Sequence, residues 1–237
     1  MDEPELDETQ ATPHLSRRVQ LIEAGVVLLL IVPSMALSLF VEDEMRPSFP
    51  VVAASLIARD LALTALVLYF VWRNGEAWAS IGWTRRRWGK EALVGVGLFI
   101  PATVAASLLA ALLAALGVPE PPTTVPEILR VEGPGEVALA VVLVVVVAFS
   151  EEILFRGYLL LRLRPITGST TAAVLLSSFV FALGHGYQGV TGVIAVGALG
   201  VIFALVYLWR RSLVAPIVMH FLQNFVGLVV APFLMSR

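Results

Sequence analysis

Three short stretches carry residues able to do hydrolytic chemistry, and all three lie in or beside long apolar runs. The first is SEEILFRG, residues 150–157, which closes the run VALAVVLVVVVAFS. A charged side chain at the centre of a membrane helix costs roughly 2.5–3.5 kcal/mol on insertion scales, so three there cost about 8–10 kcal/mol before pairing. On a helix Glu152 and Arg156 stand at i and i+4 and share a face, where pairing lowers the cost of both. Glu151 points about 100° away and has no basic residue at i+3 or i+4. An unpaired carboxylate in low dielectric is harder to charge, the condition in which it serves as a general base or acid. Glu151 is therefore the catalytic candidate, and Glu152 and Arg156 read as its support. The bland alternative is an ion-paired packing motif with a snorkelling arginine.

The second stretch is FALGH, with Phe181 and His185 one turn apart on one face. The third is HFLQN, with His220 and Asn224 again at i and i+4. Pro216 precedes His220 by four residues and predicts a kink or helix start that opens the backbone. A lone histidine in a span is usually a hydrogen-bonded core residue. Here two of the three histidines fall in apolar helices alongside a free glutamate, and only His14 lies elsewhere. That concentration points to one shared site. Peptide hydrolysis needs a base for water and donors aimed at the developing oxyanion; a carboxylate, two imidazoles and a carboxamide supply both. Neither H-E-x-x-H nor G-x-S-x-G occurs.

The elements that must position these groups are membrane helices. The 237 residues are 58% hydrophobic and 14% charged, against about 25% charged in an average soluble domain. The net charge of −2 says little, and the absence of cysteine excludes disulfides, thiolate metal sites and a cysteine nucleophile. Apolar runs near 20–41, 50–72, 90–116, 136–161, 170–187, 191–209 and 213–234 approach the roughly 20 residues that cross a bilayer. The expected fold is an all-α, polytopic transmembrane helical bundle of about seven spans (six to eight). Residues 1–16 read as an acidic, disordered leader, and 17–237 as a single transmembrane domain. A cleavage site at SMA, 34–36, is disfavoured by the long apolar run and the acidic leader. Eleven Lys and Arg flank one set of span ends against three, Arg46, Arg130 and Arg237, at the other. The bias predicts a cytoplasmic N-terminus.

Between the spans, residues 117–136 form a Pro- and Glu-rich loop expected outside as a partly ordered cover. Residues 73–91 carry Trp78, Trp83 and Trp88 beside a basic cluster, as suits an inner interfacial segment. Glycines at 184, 186, 189, 192, 197 and 200 predict either a tight helix–helix contact or non-helical backbone covered by protein. At 1.5 Å per residue, Glu151, His185 and His220 lie about 21, 25 and 12 Å from the inner turns; a fourth helix projecting into the cytosol with Arg162 and Arg164 would level them. Arg59 and Asp60 lie inside the second span; adjacent residues do not face each other, so each is expected to pair with another helix.

EEILFRG, FALGH and HFLQN, taken together and in order, resemble the three motifs of the CAAX-processing and bacteriocin-processing (CPBP, or Abi) intramembrane protease family, which includes the type II CAAX prenyl endopeptidase. The resemblance covers about residues 90–235. It implies a membrane endopeptidase acting on CAAX-type prenylated or bacteriocin-like peptides. In that scheme Glu151 activates water with help from His185, and His220 and Asn224 stabilise the oxyanion. The expected partners are membrane lipid and a peptide or membrane-protein substrate, with no nucleic acid. The expected location is the plasma membrane of a prokaryote.

Two questions stay open on the sequence. A catalytic zinc takes three protein ligands, and Glu151, His185 and His220 could supply them. Using Glu151 as a ligand removes the free base, so the metal-free arrangement, which uses all four groups without conflict, is favoured. The other open question is function class. A small proton-coupled transporter or channel could use the same Glu and His groups, although such proteins typically show internal repeats and none is evident.

Overall fold

Apolar runs become helices in a membrane because each backbone N–H and C=O must be satisfied within its own segment. The computed structural model describes residues 15–38, 48–84, 87–119, 129, 131 and 133–235, and no strand occurs among them. The helices are α1 (Arg17–Ser38), α2 (Phe49–Arg73), α3 (Trp88–Ala115), α4 (Gly133–Glu151), α5 (Leu160–Thr167), α6 (Thr170–Leu183), α7 (Gly189–Arg210), α8 (Val214–Phe225) and α9 (Ala231–Met235). A π-helical segment, Glu152–Leu159, joins α4 to α5, and another, Val226–Val230, joins α8 to α9. The all-α bundle expected from hydropathy is what forms. The acidic leader and most of the Pro- and Glu-rich loop lie outside the described residues.

Among the described residues, four segments are long and apolar enough to cross a membrane: Phe49–Arg73, Trp88–Ala115, Gly133–Thr167 and Gly186–Arg210. The chain thus reads as an integral membrane protein. Thr170–Leu183 and Val214–Val230 are shorter apolar helices. The span expected over 170–187 is cut short: α6 stops at Leu183, and a 3-10 turn at Gly186–Gln188 leads into α7. Glycine density at 184–189 weakens helix continuation there, since glycine gives up the most conformational freedom on ordering.

The connections place one set of helix ends together. Arg17 Nη2 donates to the Ile166 carbonyl at 2.7 Å, Asn74 Nδ2 to Glu23 at 2.8 Å, and Arg210 to both oxygens of Glu91 at 2.8 and 2.6 Å. Trp72, Trp78, Trp83, Trp88 and Trp209, the chain's five tryptophans, are all exposed near this same basic end. Amphipathic indoles collect at membrane–water interfaces, so this end marks one. Gly133–Thr167 runs 35 residues, about 50 Å, and overshoots a hydrocarbon core of about 30 Å.

Arg162, counted among the basic residues at the inner span ends, turns away from solvent. It is 1% exposed, with Nε 2.9 Å from Glu23 and two bonds of 2.8 and 2.5 Å to Glu76. Glu23 also accepts from the Tyr158 hydroxyl at 3.0 Å. Charge counting locates a residue near an interface; whether it faces water depends on the acids that neighbouring helices offer. Here α1 and the segment after α2 offer one each.

The helices pack so that α2 lies on α4, α6 on α7, and α8 against α3, α4 and α7. The largest apolar cluster joins α1, α2, the first π segment and α6 through residues such as Val27, Val67, Phe155 and Phe181. The candidate site lies at one flank of that cluster.

Candidate active site

Glu151 closes α4, and all eight residues of the π segment that follows are buried. A π turn is a local widening of the α-helix and recurs at functional sites. Ser177 Oγ of α6 donates to the Phe155 carbonyl inside it at 2.8 Å, tying the segment to its neighbour. The close approach of α7 depends on Gly200, where an added Cβ would stand 3.2 Å from both Phe181 and Ser178. The glycine spacing therefore serves both expected purposes, a tight contact at Gly200 and a helix break at Gly184–Gly189.

Within this frame Glu152 is fully buried and its Oε1 accepts twice, from Arg156 Nη1 at 2.7 Å and from His220 Nδ1 at 2.8 Å. Arg156 also donates to the Gly200 carbonyl at 3.3 Å and lies over the Phe181 ring, 4.3 Å from its centroid. The buried cation is thus held by one acid, one carbonyl and the faces of Phe155, Phe181 and Phe203. With Nδ1 donating to a carboxylate, the Nε2 of His220 is turned to Glu151, 3.7 Å from Oε2. That gap is beyond hydrogen-bond reach. Glu151 is 13% exposed, and its Oε2 has no hydrogen-bond partner among the described residues.

His185 sits just past the end of α6, and its Nδ1 donates to the Phe181 carbonyl at 3.0 Å, which leaves Nε2 as an acceptor. The Phe181 ring contacts both imidazoles, at 4.9 Å from His185 and 5.7 Å from His220, and holds them apart as a wall. Asn224 stands one turn past His220 on α8, half-buried. Its neighbour Gln223 accepts from Thr103 of α3 at 2.8 Å, which fixes the rotation of α8. Pro216 falls in the first turn of α8, so it marks a helix start rather than a kink.

The π segment and α8 meet at the Glu152 carboxylate, and α6 reaches the same place through the Phe181 ring, which lies against Arg156, His185 and His220. Residues 133–226 match the family model of the type II CAAX prenyl endopeptidase, Rce1-like. The match bears out the resemblance read in the three motifs, and Glu151, Glu152, Arg156, Phe181, His185, His220 and Asn224 all fall inside the Rce1-like segment. At family level it is a match to a protease, a peptide-bond hydrolase. No curated protein and no solved structure matches the chain.

One feature beside the Rce1-like segment differs from what the sequence led us to expect. Arg59 and Asp60 do not reach separate helices; Arg59 Nε and Nη2 fold back onto Asp60 Oδ1 at 2.9 and 2.8 Å. A long, flexible arginine stem bends around the helix, so the direction of its Cβ does not decide its partner. Among the described residues no three of His, Asp and Glu gather closely enough to hold an ion. Nothing in the sequence marks Phe203, whose ring lies 5.7 Å from that of His220 and 5.4 Å from the Arg156 guanidinium carbon. An apolar residue in an apolar helix carries no mark of the site it lines.

Proposed function

We propose that the chain is an intramembrane endopeptidase that hydrolyses peptide bonds of membrane-associated substrates, CAAX-type prenylated or bacteriocin-like peptides. The observation that carries this reading is the Glu151 carboxylate: buried, with one oxygen unbonded, and faced by an imidazole that Glu152 holds in place. Glu151 takes the proton of the attacking water, and His185, with Nε2 free to accept, helps orient that water. The oxygen adds to the scissile carbonyl, and the negative charge that develops there is met by His220 Nε2 and the Asn224 carboxamide. To donate from Nε2 while Nδ1 donates to Glu152, His220 must act as an imidazolium, and the Glu152 carboxylate supplies the matching charge. The proton then passes from Glu151 to the leaving amine. By this reading the basic, tryptophan-rich end faces the cytoplasm of a prokaryotic cell, and residues 17–237 act as one transmembrane domain.

The experiment is turnover of a fluorogenic farnesylated peptide, and of a bacteriocin-like leader peptide, by purified protein in detergent. Wild-type cleavage abolished by Glu151→Gln, with the melting temperature unchanged, supports the reading. Cleavage by Glu151→Gln at the wild-type rate overturns it.

A further inference from the structure

Asp60 is a buried acid to which the scheme above gives no work. It lies near the middle of α2, outside the matched residues 133–226, and is 3% exposed. Both Arg59 contacts fall on one of its oxygens, Oδ1, so Oδ2 has no hydrogen-bond partner among the described residues. Glu151 Oε2 is in the same condition. The two acids are walls of a single cavity of about 10 Å³, whose other walls include Ile31, Met35, Leu63 and Leu154. Space of about 10–15 Å³ accommodates one water, which needs two to four polar partners to stay. The two orphaned oxygens supply two such partners, and Arg59 lines the same cavity.

We propose that Asp60 is a positioning residue of the hydrolytic centre: its free oxygen and that of Glu151 hold one water between them and aim it at the scissile carbonyl. The proposal rests on the endopeptidase reading. A water held by Glu151 alone can rotate about that bond. Asp60 shares the water's other hydrogen with His185 Nε2 in a three-centre bond, so the lone pair is left pointing away from both carboxylates. Arg59 grips Asp60 by the opposite oxygen and keeps the side chain from swinging out. In the reacting step one O–H bond breaks and its proton goes to Glu151, while the new C–O bond forms. The C–N bond then breaks and the amine takes that proton. Asp60 keeps its hydrogen bond to the remaining O–H and changes no covalent bond.

The test uses full-length protein in detergent and a fluorogenic farnesylated peptide ending in a CAAX sequence. Asp60→Asn should lower kcat about 100-fold, the scale of losing reactant alignment, with KM within about twofold of wild type. Asp60→Glu should recover part of that loss. In a Glu151→Asp background the further loss from Asp60→Asn should be far smaller, because the two acids act on one water. Leu63→Phe fills the cavity without replacing either acid and should also lower kcat, which keeps the test open if Asp60→Asn does not fold. Asp60→Asn or Leu63→Phe at full kcat overturns the inference, as does an equal fold-loss for Asp60→Asn in both backgrounds. If the wild type cleaves and Glu151→Gln does not, those outcomes leave the endopeptidase reading intact. A wild type that cleaves nothing overturns that reading, and this inference with it.

Discussion

One oxygen of Glu152 serves two helices: Oε1 lies 2.7 Å from Arg156 Nη1 and 2.8 Å from His220 Nδ1. The π segment and α8 are therefore pinned at a single buried point, and the ring beside Glu151 inherits its orientation from an ion pair. Second-sphere acids commonly fix the tautomer and tilt of a working histidine in this way.

Arg156→Ala should cost more stability than chemistry. It removes the cation matched to a fully buried carboxylate, and breaking such a pair costs about 3–5 kcal/mol. His220 remains bonded to Glu152, so kcat of the folded fraction should fall by less than about tenfold. Thermal unfolding in detergent, read beside turnover at low temperature, checks this. An unchanged melting temperature would argue against the pair.

Glu152→Gln should lose both. It strands Arg156 as an unpaired buried cation, which again costs about 3–5 kcal/mol. It also leaves His220 without the counter-charge it needs as a donor, and loss of one oxyanion donor costs about 10²–10³ in kcat. The comparison with Arg156→Ala at matched folded concentration isolates the second effect.

Arg162→Ala should destabilise the basic end without touching the reaction. Glu23 and Glu76 lose their shared partner, and α1 loses its charged tie to α5. The expected result is a lowered melting temperature with kcat unchanged for the molecules that remain folded. A selective loss of kcat would show that α1 positions the site through this network.

Gly95→Ala should disturb the seat of α8. The new Cβ would stand 2.6 Å from the Ala215 carbonyl and 2.8 Å from Val218 Cβ, contacts that backbone cannot absorb without moving. Overpacking of this kind costs about 1–3 kcal/mol, and α8 carries His220 and Asn224. Both stability and turnover should fall. Gly97→Ala, where nothing lies within 4 Å, is the matched control on the same helix.

Protein stripped by a strong chelator, and shown metal-free by elemental analysis, should cleave at the full rate. Glu151, His185 and His220 are not gathered as a ligand set, and His220 Nδ1 is committed to Glu152. Loss of activity restored by stoichiometric zinc would overturn this and return Glu151 to the role of ligand.

The sequence by itself determined most of the helices and pointed to the candidate groups of the proposed site. Long apolar runs have no soluble alternative, so hydropathy alone placed α2, α3 and α7 close to their observed bounds. The cost of burying charge singled out Glu151, Glu152 and Arg156, because a membrane removes such residues unless they are used. The i, i+4 spacing of Glu152 and Arg156 was legible because both partners sit on one local element.

What the tertiary structure decided is every partnership between elements. That His220 meets Glu152 by Nδ1, that Arg162 turns inward to Glu23 and Glu76, and that Asp60 shares a cavity with Glu151 all depend on helix rotation and depth. A one-residue change in rotation moves a side chain by about 100° around its helix and scarcely alters the hydropathy of the run. Hydropathy is a sum over neighbours in sequence, whereas a hydrogen bond is set by neighbours in space. Close packing at glycines such as Gly95 and Gly200 fixes which neighbours those are.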